Sequence, residues 1–152
     1  MFLGNHYIGY LQKYGNDNMR ESCSLVSLPK ISDVRGNLSF VEQESHIPFK
    51  IERTFWIYDV PGGEDRGGHA YRVTEEFIIA LSGSFDVVLD DGAGNVQTFQ
   101  LNRSYYGLYV PKMIWRQMTN FSTNSVAMVL ASTRYDARDY IRDYEEFKAL
   151  KR

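Results

Sequence analysis

Gly63-Glu-Asp-Arg66-Gly-Gly-His69-Ala-Tyr71-Arg72-Val-Thr-Glu-Glu76-Phe-Ile-Ile-Ala-Leu-Ser-Gly83 is the stretch from which the fold is read. In an extended chain, side chains two residues apart share a face, so His69 and Tyr71 point the same way. Behind them comes an apolar run, residues 77–81, headed by Glu76 and closed by a Ser-Gly turn signal. The stretch therefore offers an imidazole and a phenol on one face, with a carboxylate at the head of the next strand. A histidine inside a barrel is more often a hydrogen-bonded core residue than a catalyst. Here the glycine-rich approach and the tyrosine on the same face favour a working pocket.

Outward from this stretch the pattern repeats. β-prone runs recur at 23–28, 38–42, 53–60, 77–81, 85–89, 96–101, 106–110 and 126–131. They are separated by Asp33-Val-Arg35-Gly36, Pro61-Gly62-Gly63, Ser82-Gly83 and Asp90-Asp91-Gly92. Short strands with Gly- and Asp-rich turns predict an all-β sandwich or barrel. Asp91-Gly92 or Gly94-Asn95 supplies the positive-φ residues of a tight hairpin. Beyond it Gln97, Phe99 and Leu101 alternate with Val96, Thr98 and Gln100, which predicts a strand buried on one face. Only residues 137–150 change period. Tyr140, Ile141, Tyr144, Phe147 and Leu150 recur at helical spacing behind a candidate N-cap, Asp136, and predict a C-terminal helix. Residues 1–22 mix Gly, Asn, Tyr and Gln without period and read as a loosely ordered extension, leaving 23–152 as a single domain.

Length and charge narrow the partners. A chain of 152 residues is about one domain, with enough apolar residues (43%) to bury a core. Seventeen basic against nineteen acidic side chains give a net charge of −2. That provides no field for nucleic acid or an anionic membrane, although two or three local arginines suffice for a small anion. No apolar run approaches the roughly 18 residues of a bilayer span, and the N-terminus lacks the basic and apolar regions of a signal peptide. The single cysteine, Cys23, excludes an intrachain disulfide and suits the cytoplasm. Aromatic residues at 14% suit a lined pocket as well as a core.

Written as spacing, the opening stretch is G-x5-H-x-Y-x4-E-x6-G, which resembles the first motif of the cupin barrels. Gly107-Leu-Tyr-Val-Pro111-Lys-Met113-Ile-Trp-Arg116-Gln-Met-Thr-Asn120 resembles the second, with Met113 where that motif has glycine and Arg116 where it has histidine. Two such matches in order imply a cupin, a double-stranded β-helix or jelly-roll barrel. Cupins that hold a metal use three histidines and one glutamate. This chain offers His69, Tyr71, Glu76 and Arg116 at those positions, and an arginine neither ligates nor tolerates a neighbouring cation. No metal and no cofactor is expected. His, Tyr, Glu and Arg gathered in an apolar barrel are costly to desolvate unless a ligand repays them.

Further segments are similar to one cupin subgroup, the TDP-4-keto-6-deoxyglucose 3,4-ketoisomerases of the WxcM-like group. They include Asp33-Val-Arg35-Gly36, Ile47-Pro48-Phe49, Ile51-Glu-Arg53, Arg66-Gly-Gly-His69-Ala, Gly107-Leu-Tyr-Val-Pro, Met128-Val-Leu-Ala-Ser132 and Asp139-Tyr-Ile-Arg142-Asp-Tyr-Glu-Glu-Phe147. The resemblance implies an isomerase that moves the ketone of a TDP-linked 4-keto-6-deoxyhexose from C4 to C3 in deoxyamino-sugar biosynthesis, and it implies a homodimer. The family usually has His-Ala-His where this chain has His69-Ala-Tyr71. On that basis His69 is expected as general base, with Tyr71 assisting at the second oxygen or carbon. Arg35, Arg53, Arg66, Arg72 and Arg116 are the candidate substrate-binding cations, since guanidinium pairs well with phosphate oxygens, and Glu76 completes the set. Two other readings stay open: an epimerase of a related TDP-keto sugar, and a catalytically silent cupin that binds a sugar nucleotide.

Overall fold

Phe85, Val87 and Leu89 are buried, while Asp86, Val88 and Asp90 between them are only half-buried. This is the two-residue period of a strand with one face on a core. Such strands build most of the molecule. A computed structural model describes residues 22–152, so the extension read over residues 1–22 lies outside the described residues except for Ser22. The described strands are β1 (Ser24–Ser27), β2 (Lys30–Asp33), β3 (Gly36–Ser39), β4 (Arg53–Ile57), β5 (Arg66–Tyr71), β6 (Glu76–Ser82), β7 (Phe85–Asp90), β8 (Val96–Leu101), β9 (Tyr106–Val110), β10 (Trp115–Thr119), β11 (Val126–Ala131) and β12 (Tyr140–Ile141). One helix, α1 (Tyr144–Leu150), follows.

The strands form two five-stranded sheets, ordered β1-β9-β6-β11-β4 and β12-β5-β10-β7-β8, with β2 and β3 as a separate hairpin. Neighbours in each sheet are antiparallel and mostly non-consecutive in sequence, as a jelly-roll requires. Ile78, Val87, Leu108, Met118 and Val129 fill the space between the sheets. The outer face of the first sheet is covered by Leu28, Ile47 and Phe49, which pack on Phe77, Ile79 and Tyr109. This is the cupin barrel anticipated from the two motifs. No helix among the described residues is long and apolar enough to cross a membrane.

The structure corrects the C-terminal segment. The helix expected over 137–150 is broken into a 3-10 turn (Ala137–Asp139) capped by Asp136, the short strand β12, and α1 capped by Asp143. Tyr140 and Ile141 leave the helical path because the edge of β5 offers them backbone partners, at Tyr71 and Ala70. Asp143 then accepts from the Glu146 N–H at 2.7 Å and caps a helix that starts at the next residue, Tyr144.

The 38–42 run is corrected as well, to Gly36–Ser39 paired with Lys30–Asp33 across the Asp33-Val34-Arg35-Gly36 turn. At the second cupin motif, Met113 has φ +58°, so the backbone keeps the left-handed bend that the motif's glycine serves. Its N–H donates to the Tyr71 carbonyl at 2.8 Å, fixing this loop to the strand that carries His69.

Candidate active site

β5 and β10 lie side by side, and their register places Arg116 opposite His69. Glu76 enters the same space from the head of β6 in the facing sheet. Arg116 donates from Nε and Nη2 to the two Glu76 oxygens, at 2.8 Å each. The side chains are only 2% and 1% exposed. A bidentate pair in this setting joins the two sheets through the barrel. Burial disfavours the charged guanidinium, but the charge and hydrogen bonds of Glu76 overcome it, and Arg116 stays protonated. Its third nitrogen, Nη1, is buried without a hydrogen-bond partner and lies against Gly67. A Cβ on Gly67 would sit 2.2 Å from Nη1, and Gly67 has φ +76°. The glycine-rich approach to His69 therefore makes room for the guanidinium.

His69 is half-buried, and its Nε2 is sealed from solvent with no partner. Its ring centroid is 4.8 Å from that of Tyr71 and 4.9 Å from that of Tyr140, and these two phenols are 4.7 Å apart. Burial, followed by the positive charges of Arg116, Arg142 and Arg53, lowers the His69 pKa to about 3. At neutral pH the imidazole is uncharged and able to accept a proton. Burial, then the Glu76 carboxylate, holds the Tyr71 phenol well above its ordinary value, despite the opposing pull of Arg116. Tyr71 is therefore a neutral donor.

The eight residues anticipated from sequence separate into groups. The structure brings His69, Tyr71, Glu76 and Arg116 together. Arg53, on the edge strand β4, is close enough to act on the His69 charge and lies over the Phe55 and Tyr135 rings, 5.3 and 5.6 Å from their centroids. Arg66 is exposed at the opposite end of β5 from Tyr71. Arg72 points outward and pairs with Glu146 of α1 at 2.5 Å. Arg35 stands on the β2–β3 turn, 86% exposed, against Asp33.

Two residues join the site that motif spacing did not identify, Tyr140 and Arg142. The Arg142 guanidinium lies 4.3 Å from the Tyr140 ring centroid. The only signal for them was the recurrence of Asp139-Tyr-Ile-Arg142 in the family pattern, on a segment a barrel does not require. Two surface grooves, of about 410 and 270 Å³, lie instead around Trp56, Tyr58 and Asp59 and around Val60, Phe121 and Asn124. Neither includes His69, and their linings bring no comparable cluster of chemical groups.

The donors do not fit a divalent ion. Of the four cupin ligand positions, Arg116 and Tyr71 take two, and Glu76 is committed to Arg116. Among the described residues, no three His, Cys, Asp or Glu side chains converge on a point that could hold a metal. The arrangement can instead accept a proton at His69, donate hydrogen bonds from phenols and hold negative charge near guanidinium groups.

Comparison with known proteins identifies relatives of the chain in sequence and fold. The chain is 44% identical over 124 residues to the TDP-4-oxo-6-deoxy-alpha-D-glucose-3,4-oxoisomerase of Aneurinibacillus thermoaerophilus, covering 82% of this chain and 88% of that protein. The crystal structure of the TDP-quinovose 3,4-ketoisomerase WlaRB from Campylobacter jejuni is 42% identical, with TM-score 0.81 over 85% of this chain and 98% of that one. The 3,4-ketoisomerase QdtA of Thermoanaerobacterium thermosaccharolyticum, solved as a mutant in complex with TDP-4-keto-6-deoxyglucose, is 32% identical, with TM-score 0.82 over 85% and 93% of the two chains. Residues 21–152 match the family described as FdtA, WxcM-like, C-terminal. The chain belongs to that family.

Proposed function

We propose that this protein is a TDP-sugar 3,4-ketoisomerase that moves the ketone of a TDP-4-keto-6-deoxyhexose from C4 to C3 by metal-free acid–base catalysis. The observation that carries the reading is an uncharged imidazole packed between two phenols and beside a buried guanidinium. The C3 proton is acidified by the neighbouring carbonyl, and neutral His69 is the group placed to remove it. The enediolate that results is an anion, and the unpartnered Arg116 Nη1 is a donor already directed into the site. Tyr71, protonated and hydrogen-bond competent, assists at the second oxygen.

Substrate charge couples to this chemistry. A diphosphate drawn by Arg53 and Arg142, with Arg66 at the end of the same strand as His69, offsets the positive charges that, after burial, lower the His69 pKa. Binding therefore relieves the charge part of that depression when the C3–H bond is presented. Arg35 is exposed on the β2–β3 turn, and in this reading it serves the pocket of a second copy of the chain. The β2–β3 hairpin exposes Ile31, Val34 and Leu38, and a two-stranded hairpin is marginal by itself. A homodimer in which a partner covers this arm accounts for both features. The lone thiol of Cys23 fits a cytoplasmic setting.

The test is incubation with TDP-4-keto-6-deoxyglucose, with carbon NMR of the product. The carbonyl is expected to move from C4 to C3, and His69→Ala to slow this by about 10²–10⁴-fold. Turnover within a few-fold of wild type in His69→Ala removes His69 as the base. A carbonyl that stays at C4 while a ring proton exchanges selects an epimerase. Thermal stabilisation by the sugar nucleotide without turnover selects a silent binding protein.

A further inference from the structure

Tyr140 lies in the site without a place in the chemistry so far described, and its position is imposed from both sides. On one side, the Asp139 carboxylate accepts from the Val73 N–H at 2.8 Å, the Thr74 N–H at 3.2 Å and the Thr74 hydroxyl. On the other, Ile141 is fully buried against Ala70 and Phe147. Backbone pairing sets Tyr140 opposite Tyr71. The ring so held touches His69 and Tyr71 on one side and takes the Arg142 guanidinium at 4.3 Å from its centroid. Tyr71 is 4% exposed, whereas Tyr140 is half-buried. Of the two phenols, Tyr140 is the more open to a ligand in the pocket.

We propose that the Tyr140 hydroxyl is a catalytic group, the proton carrier between the two substrate oxygens, with Tyr71 hydrogen-bonded behind it and Arg142 on its ring. The inference rests on the ketoisomerase reading and assigns within it a step that His69 cannot perform alone. His69 takes the proton from C3, and the C–H electron pair becomes the C3=C4 bond. The π pair of the C4 carbonyl moves to O4, which takes the Tyr140 proton and leaves a phenolate. The phenolate then removes the proton from O3, whose electron pair forms the new C3 carbonyl. The C3=C4 pair takes the proton from His69 at C4. One proton has passed from C3 to C4 through the imidazole and one from O3 to O4 through the phenol, and both groups return to their starting states. Arg142 supplies positive charge over the ring during the phenolate interval. Tyr71 stabilises the same oxygen by hydrogen bonding.

The experiment compares wild type, Tyr140→Phe and Tyr71→Phe in D₂O, following ketone migration and the exchange of the C3 proton separately by NMR. Each variant keeps its ring, and thermal melting checks that each folds as wild type does. For Tyr140→Phe the expected result is a fall in kcat of about 100-fold or more. KM should stay within about threefold and C3 exchange should fall by less than about tenfold. Tyr71→Phe should lose less kcat than Tyr140→Phe. Migration within threefold of wild type in Tyr140→Phe overturns the proposal. So does an equal loss of migration and exchange, which makes Tyr140 a positioning residue for His69. As a second measurement, fluorotyrosine at position 140 should move the alkaline limb of kcat to lower pH, and an unmoved limb overturns the proposal without any deletion. Failure of the ketoisomerase reading is seen separately, as wild type that leaves the carbonyl at C4.

Discussion

Replacing Glu76 by Gln isolates the electrostatics of the buried pair. The amide preserves shape and one acceptor, but it removes the charge facing Arg116. The two side chains are 1% and 2% exposed and meet through two 2.8 Å hydrogen bonds. Unit charges about 4 Å apart attract by about 4 kcal/mol at an effective dielectric near 20. A lysine in this position could escape by losing its proton, but a guanidinium does not deprotonate in proteins. Glu76→Gln therefore strands a buried cation, for which the usual cost is about 3–5 kcal/mol. Set against a typical total of about 5–15 kcal/mol, this is a large fraction of the stability.

Urea unfolding reads the loss directly. With m near 2 kcal/mol/M, the midpoint should fall by about 2 M. The discriminating partner is Glu76→Gln/Arg116→Met, which removes both charges and fills the space with a side chain of similar length. Because replacing a buried pair by apolar groups is often neutral, the double variant should recover most of the stability lost by the single one. A cost below about 1 kcal/mol for Glu76→Gln would refute the reasoning. So would a double variant at least as unstable as the sum of its parts, since that outcome leaves no stranded charge to explain the single-variant loss.

Three further expectations follow from the same geometry. His69 has a folded pKa near 3 against an ordinary value of 6.5, so the unfolded chain binds more protons between these limits. Its contribution to stability is complete above pH 6.5 and is lost as pH falls toward 3, and His69→Gln should flatten that part of the stability profile. For the free enzyme, kcat/KM should show no inflection near pH 6.5, and an apparent pKa of 6–7 in kcat/KM contradicts the neutral, buried imidazole. Gly67→Ala places a methyl 2.2 Å from Arg116 Nη1 at φ +76°, so both the backbone and the guanidinium must yield. A stability loss of about 1–3 kcal/mol and a kcat at least tenfold lower are expected. Unchanged kcat at an unchanged urea midpoint places the guanidinium elsewhere.

The barrel was legible because its strands obey a two-residue period and its turns carry Gly and Asp, both local signals. Phe85, Val87 and Leu89 show the period plainly, and β9 and β11 coincide with the 106–110 and 126–131 runs. β10 escaped because it places Arg116 on its inward face, where the pattern demands an apolar residue. That inversion makes sense only with Glu76 directed at it from the other sheet, a partner forty positions away. The C-terminal error has a related cause. Tyr140, Ile141, Tyr144, Phe147 and Leu150 do carry helical spacing, but local periodicity cannot register that the edge of β5 stands open beside two of them. Backbone pairing with β5 took precedence over a weak local preference.

The site divides along the same line between local and non-local information. His69, Tyr71 and Glu76 belong to one contiguous stretch, in which the strand period puts the first two on one face and the cupin pattern brings Glu76 in from the facing sheet. Arg116 required the second motif, and the structure adds that two of its three nitrogens are occupied by Glu76, leaving one for a ligand. Tyr140 and Arg142 arrive through β12, whose docking depends on Asp139 reaching the Val73 and Thr74 amides across more than sixty residues of chain. No spacing rule encodes that bond. It nevertheless gives a physical reason why an acidic residue directly precedes Tyr140: without the clamp, the edge strand has only two residues to hold it. Arg35, drawn from a segment of the family pattern, and Arg72, drawn only as a nearby candidate cation, show the converse: in one chain they stand on a hairpin turn and in a surface ion pair. Recurrence marks a residue as constrained, and only the three-dimensional neighbours show whether the constraint is pocket, surface or a second copy of the chain.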